Sequence, residues 1–222
     1  GRSGVALGLV LVLLIVTVMG GRVIPTFTNN AVPGAQASAN GLVERASIGS
    51  VAALVLADIA GAPGSAIAVL AGAACAVHTA RWLLWRPWRT AGVPLVWVLH
   101  AAYAWIPVHL ALRGLAAHGL VPPSLAIHAL STGAIGGLVI GMMTRTARGH
   151  TARPLRADRF DVACYALVLL AGVARVALPA LEPALLMPAV GASAGLWSIG
   201  FGLFAVRYLP VLTRPRLDGQ LG

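Results

Sequence analysis

The sequence predicts an all-α membrane protein: a polytopic bundle of about seven transmembrane helices in a single domain. Three observations carry that reading. The 222 residues are 59% hydrophobic and only 10% charged, with a mean hydropathy of +0.87, whereas a soluble domain carries about a quarter charged residues. Several apolar stretches approach the roughly 20 residues that cross a bilayer. Threading those stretches through a membrane also sorts the arginines onto one side.

The spans are expected near 4–20, 43–60, 64–85, 93–113, 122–146, 159–178 and 185–208. The first holds the apolar run Val5 to Val18 behind Arg2 and ends in MGGRVIP. A small-x-small cleavage site is missing there, so it reads as a true span rather than a signal peptide. The chain starts at Gly1 without a methionine, which suggests a piece of a longer protein. The second span is the least apolar, with Glu44 and Arg45 in its first turn, and the tight turn AGAPG joins it to the third. The fourth carries a mid-span proline, Pro107. The fifth places Gly133, Gly137 and Gly141 four residues apart on one face, and the seventh repeats the spacing with Gly191 and Gly195. Such small-residue faces let helix backbones approach closely.

The formal net charge of +10 comes from sixteen arginines and no lysine, set against six acids. Arg2, Arg113 and Arg175 fall on the side holding the first residue, and the other thirteen fall opposite. The arginine-rich side is then cytoplasmic, and so is the C-terminus. Because the arginines sit in short inter-helix loops, the basic balance reports orientation, and a nucleic-acid role is excluded. Cys75 and Cys164 lie inside spans and form no disulfide framework. No phosphate-binding loop, HExxH or CxxC occurs.

The six histidines carry the chemistry. His78 lies seven residues before the cytoplasmic end of the third span, and His100 lies seven after the start of the fourth. Both stand about 10 Å inside the arginine-rich face, at a rise of about 1.5 Å per residue. His109 and His128 fall in the opposite half, His118 in an outer loop and His150 in the cytoplasmic loop after the fifth span. By depth His78 can meet His100 and His109 can meet His128. His100 and His128 differ by about 10 Å along the normal and are not expected on one iron, though they could ligate separate centres. Cys75, His78, Arg81, Trp82 and Trp85 form one stripe at helical spacing, and Trp97, His100 and Tyr103 form another. Met142, Met143 and Cys164 lie toward the same side. Soft sulfur with imidazole suits copper, and imidazole is a common haem ligand.

Imidazoles inside a membrane are costly and are expected to serve function. The tryptophans are expected in an interfacial belt rather than around a cofactor. Arg81, Arg86 and Arg89 read as orientation signals first, one of them able to pair a haem propionate. Arg175, alone in an apolar run, either snorkels to pair Glu182 or holds an anionic group in the bundle. Asp58 reads as an interfacial residue rather than a proton carrier.

The stretches GGRVIPTFTNN (20–30), RWLLWRPWRT (81–90), PLVWVLHAAYAW (94–105), HALSTGAIGGLVIGMMTRTARGHTARPL (128–155) and YLPVLTRPR (208–216) together resemble the NnrS family of bacterial membrane proteins. The resemblance covers nearly the whole chain. It implies a haem- and copper-containing protein of the inner membrane, associated with denitrification and with protection against nitric oxide. Its ligand would be nitric oxide or an iron-nitrosyl species. The family's motif histidines fall on His100, His128 and His150, while Arg22, Asn29, Asn30, Arg145 and Arg153 stand in matching motifs. His109 occupies a position expected to be apolar in relatives. Family members are longer, so this chain corresponds to their C-terminal portion, and a histidine-rich WHAHE-like motif lies outside it.

The candidate cofactor-binding residues are therefore His78, His100, His128, His150, Arg145 and Arg175, with His100, His128 and His78 as metal ligands. The competing reading is a small-solute or ion transporter whose histidines line the path.

Overall fold

The computed structural model describes residues 2–219, and the side chains of residues 2, 3 and 5–7, among them Arg2, lie outside that description. The chain is helical throughout, with no strand among the described residues. The helices are α1 (Arg2–Ala31), α2 (Gly41–Ile59), α3 (Gly64–Leu84), α4 (Pro94–Tyr103), α5 (Trp105–Ala117), α6 (Pro123–His128), α7 (Gly136–His150), α8 (Arg159–Leu181) and α9 (Leu186–Leu212). A π-helical segment, Ala129–Ile135, joins α6 to α7 without a loop.

Among the described residues, six helical columns are long and apolar enough to cross a membrane: 8–31, 64–84, 94–117, 123–150, 159–181 and 183–212. The chain is a multi-pass membrane protein. The helix expected at 43–60 forms as α2, but Glu44, Arg45 and Asp58 keep it out of that set. It still packs along α1 and α3, and its charges are met at both ends. Glu44 pairs with Arg81 near the end of α3, and Asp58 pairs with Arg113 near the end of α5.

The first helix runs past the expected end at residue 20 to Ala31. Gly20 and Gly21 are sites of close approach rather than a helix stop. A methyl group on Gly21 would strike the Arg81 guanidinium and the Glu44 carboxylate, and one on Gly20 would touch the Tyr103 ring.

The fourth span breaks at Ala104 because Pro107 has no N–H and its ring crowds the carbonyl of Tyr103, four residues earlier. Its partner irregularity is the π-helical segment beside it. A Cβ on Gly133 would collide with the Trp105 indole, and a Cβ on Gly172 of α8 would lie 3.0 Å from the Gly133 Cα. The glycine face of the fifth span therefore packs as expected, with Gly137 against Ala102 and Gly141 against Val98 and Leu99. Gly191 and Gly195 do not repeat the device, since they face open space; Gly200 makes the close approach instead, against Val168 and Leu167.

On the arginine-rich side Asp158 caps α8, accepting from the backbone N–H groups of Phe160 and Asp161 in a reciprocal capping box. Burial works against the charged form of Asp158. Hydrogen bonds from the Asp161 backbone, Arg207 and the Phe160 backbone outweigh it and hold the carboxyl below its ordinary value. Asp161 is buried and accepts from Arg148 and from the Tyr208 hydroxyl. These bonds tie α7, α8 and α9 together.

Candidate functional site

A cluster of polar and aromatic side chains fills the bundle where α1, α2, α3 and α4 meet. At its centre Arg81 is fully buried. Its guanidinium donates from Nε to Glu44 Oε1 at 2.8 Å and from Nη2 to Glu44 Oε2. Nη1 donates to the Thr17 carbonyl at 2.8 Å and to the Tyr103 hydroxyl at 3.2 Å. The guanidinium also lies 5.1 Å from the centre of the Trp85 ring. Arg81 is thus a buried hub whose donors are taken up within the bundle, not a partner left free for a propionate. Trp85 belongs to the same core: fully buried, it meets Tyr103 and His100 edge-on with ring centres 4.6 and 6.4 Å apart. The interfacial expectation fails for Trp85, whereas Trp88 is exposed.

His78 and His100 both enter this cluster, His78 through Tyr103 and His100 through Trp85, whose ring also meets Tyr103. Their protonation follows from the hydrogen-bond network. Thr28 donates its single hydroxyl proton to the Ile24 carbonyl, so its oxygen accepts from His100 Nε2 at 2.8 Å. The ring is then the Nε2–H tautomer, and Nδ1 is left as a buried lone pair without a partner. The His100 carbonyl in turn accepts from the Trp82 indole at 3.0 Å. A cavity of about 400 Å³, walled by Trp82, Trp97, Pro87 and Ala101, reaches His100.

For His78 the logic runs the other way. Tyr103 already accepts from Arg81, so its own proton goes to His78 Nδ1 at 2.8 Å. Nε2 then carries the ring proton. It finds no hydrogen-bond partner, although the Ser47 backbone lies close enough to act on the ring. This imidazole offers a donor rather than a ligand atom.

The other histidines make no hydrogen bond to this cluster, although His109 is within electrostatic reach of His78. His109, on α5, donates from Nδ1 to the Ala126 carbonyl at 2.7 Å, which leaves Nε2 as a second buried, unpartnered lone pair. It borders an apolar cavity of about 580 Å³ with Leu9, Ile59, Ile127 and Leu130, and the Asp58–Arg113 pair at one edge. His128, two residues past Ala126, is half-buried and within electrostatic reach of Arg175. Arg175 makes no ion pair with Glu182, whose carboxylate caps the Ala184 N–H instead. His150 is exposed at the end of α7, beside a cavity of about 460 Å³ that Met142, Met143 and Phe204 also line. Arg145 stacks its guanidinium 3.6 Å over the Phe27 ring.

The structure thus brings His78 and His100 together and leaves His128, His150, Arg145 and Arg175 apart from them. No three His, Cys, Asp or Glu side chains converge as a metal site among the described residues. Sequence reasoning missed Glu44 and Thr28, and it gave too little weight to Tyr103 and His109. A signal for Glu44 was present, because an acid within an apolar helix needs a buried partner. Nothing in the sequence pointed to Thr28, which lies 72 positions from His100.

Compared with known families, residues 1–216 match the family model described as NnrS protein. The chain belongs to the NnrS family. Neither the curated proteins nor the solved structures yield a match. The match spans α1–α9.

Proposed function

We propose that this NnrS-family chain binds haem through His100 and takes part in the bacterial response to nitric oxide at the inner membrane, with its C-terminus cytoplasmic. The observation that carries the reading is His100 Nδ1, a buried and unpartnered lone pair on a residue that lines a cavity walled by two tryptophans. Metal-ligating histidines have their second nitrogen fixed by a hydrogen bond, which is the role of Thr28 here.

Haem bound there would supply an iron centre able to take up nitric oxide. The chain's own residues do the rest. Thr28 sets the tautomer and aims the ring. Trp82 and Trp97 supply apolar walls to the cavity on the His100 side. The Arg81–Tyr103–His78 relay keeps a fixed donor chain and a positive charge next to the cluster.

For copper, His150 with the Met142 and Met143 thioethers fits the soft donor preference of Cu(I) better than any carboxylate set. His128 and Arg175 form a separate pair in the outer half. His78 serves as hydrogen-bond donor, and Arg145 lies outside this ligand set.

The test is an optical spectrum and metal analysis of the purified protein before and after nitric oxide. The expected result is a Soret band that moves with the gas, is lost in His100→Ala and persists in His109→Ala. Copper should fall in His150→Asn with the haem unchanged. A Soret band unaltered in His100→Ala would overturn the ligand assignment. A colourless, metal-free wild-type protein would favour the transport reading, which the two interrupted helices meeting at Trp105 and Gly133 also suit.

A further inference from the structure

A second cavity opens on the arginine-rich side, away from the histidine cluster. It measures about 780 Å³ and lies between the end of α1, the start of α4, the end of α7 and the loop before α8. Asn30, Arg145 and Arg156 are its polar lining residues, and Gly92–Leu95 also border it.

Two features bear on these arginines. First, in a chain of sixteen arginines and six acids, neither has an acidic partner among the described residues. Glu44 is taken by Arg81, Asp58 by Arg113, Asp158 by Arg207 and Arg148, and Asp161 by Arg148; Asp218 pairs with Arg216, and Glu182 caps a backbone N–H. All six acids of the chain are thereby engaged elsewhere. Second, Arg145 is half-buried and stacked over Phe27. Stacking on the ring face leaves a guanidinium's in-plane donor edges open, which suits planar recognition of an oxyanion. Two guanidiniums lining one cavity without a counter-charge call for an anion.

We propose that this cavity is a binding site for a phosphate-bearing anion, held by Arg145 and Arg156 with Asn30 as a further donor. Its volume exceeds what a free inorganic ion fills, and it sits at the membrane face that anionic lipids occupy, so a phospholipid headgroup is the source the geometry favours. The site is independent of haem binding.

The test uses the purified full chain in neutral detergent. Thermal unfolding is followed after adding phosphatidylglycerol, phosphatidylcholine, or sodium phosphate against chloride at equal ionic strength. Phosphatidylglycerol is expected to raise the midpoint, and phosphatidylcholine to leave it unchanged. Arg145→Gln/Arg156→Gln should bind phosphatidylglycerol at least tenfold more weakly, and Arg145→Lys/Arg156→Lys should keep part of the effect. A response to phosphate alone would assign the site to a free anion. Should the double variant fold poorly, Arg156→Gln by itself, changed only at an exposed loop residue, gives the same comparison by retained lipid in native mass spectrometry. No response to either phosphate source, or a variant responding as the wild type does, would overturn the proposal.

Discussion

Replacing Glu44 by glutamine tests the centre of the bundle. Arg81 makes four hydrogen bonds, two of them to the Glu44 carboxylate. Each charge-assisted bond contributes about 1.5–3 kcal/mol net, and the single amide oxygen of glutamine restores about 1 kcal/mol. The guanidinium, at 1% exposure, cannot turn to water, while the carboxylate retains 21% exposure and was never fully desolvated. That asymmetry places the loss toward the lower end, at about 2–3 kcal/mol, short of the roughly 3–5 kcal/mol for breaking a fully buried pair. The assay is reversible unfolding in mixed detergent micelles, run on Glu44→Gln, Arg81→Met and the double variant. Because each single change strands a partner, the double should cost less than the sum of the two by at least about 1.5 kcal/mol. Strict additivity, or a loss below about 1 kcal/mol for Glu44→Gln, would show that Arg81 is held by packing rather than by charge.

Gly133→Ala forces a methyl group into the Trp105 indole and should cost about 1–3 kcal/mol. Gly195→Ala, facing open space, should be neutral or stabilising by up to about 1 kcal/mol in the same unfolding assay. Thr28→Val removes the acceptor that sets the His100 tautomer, so bound haem should show a shifted Soret maximum or weaker retention while the fold survives. Asp158→Ala should cost about 1 kcal/mol as a lost helix cap. Because the Asp158 carboxyl titrates below its ordinary value in the folded chain, its stabilising effect is full above that ordinary value. It is lost as pH falls toward the folded value, so wild type and Asp158→Ala should converge in stability at low pH.

The membrane class, the sites of the long helices, and the packing role of Gly133, Gly137 and Gly141 were legible in the sequence. Each follows from a local property, either apolar length or position along a helix of fixed rise. The seven-helix expectation differs from the six membrane-length columns only at α2, where three charges interrupt an otherwise apolar run. The roles of Arg81 and Trp85 were not legible. Both sit where a chain end meets the interface on a one-dimensional plot, and only the packing of α1 and α2 against them makes the position interior. The glycines at 20 and 21 looked like a helix stop for the same reason, since their purpose is the space they leave for Arg81 and Tyr103. Which histidine offers a lone pair depends on partners such as Thr28 and Ala126, distant in sequence, because a ring's tautomer is set by what its other nitrogen touches. Spacing along a helix decides how deep a side chain lies, whereas the neighbouring helices decide what surrounds it.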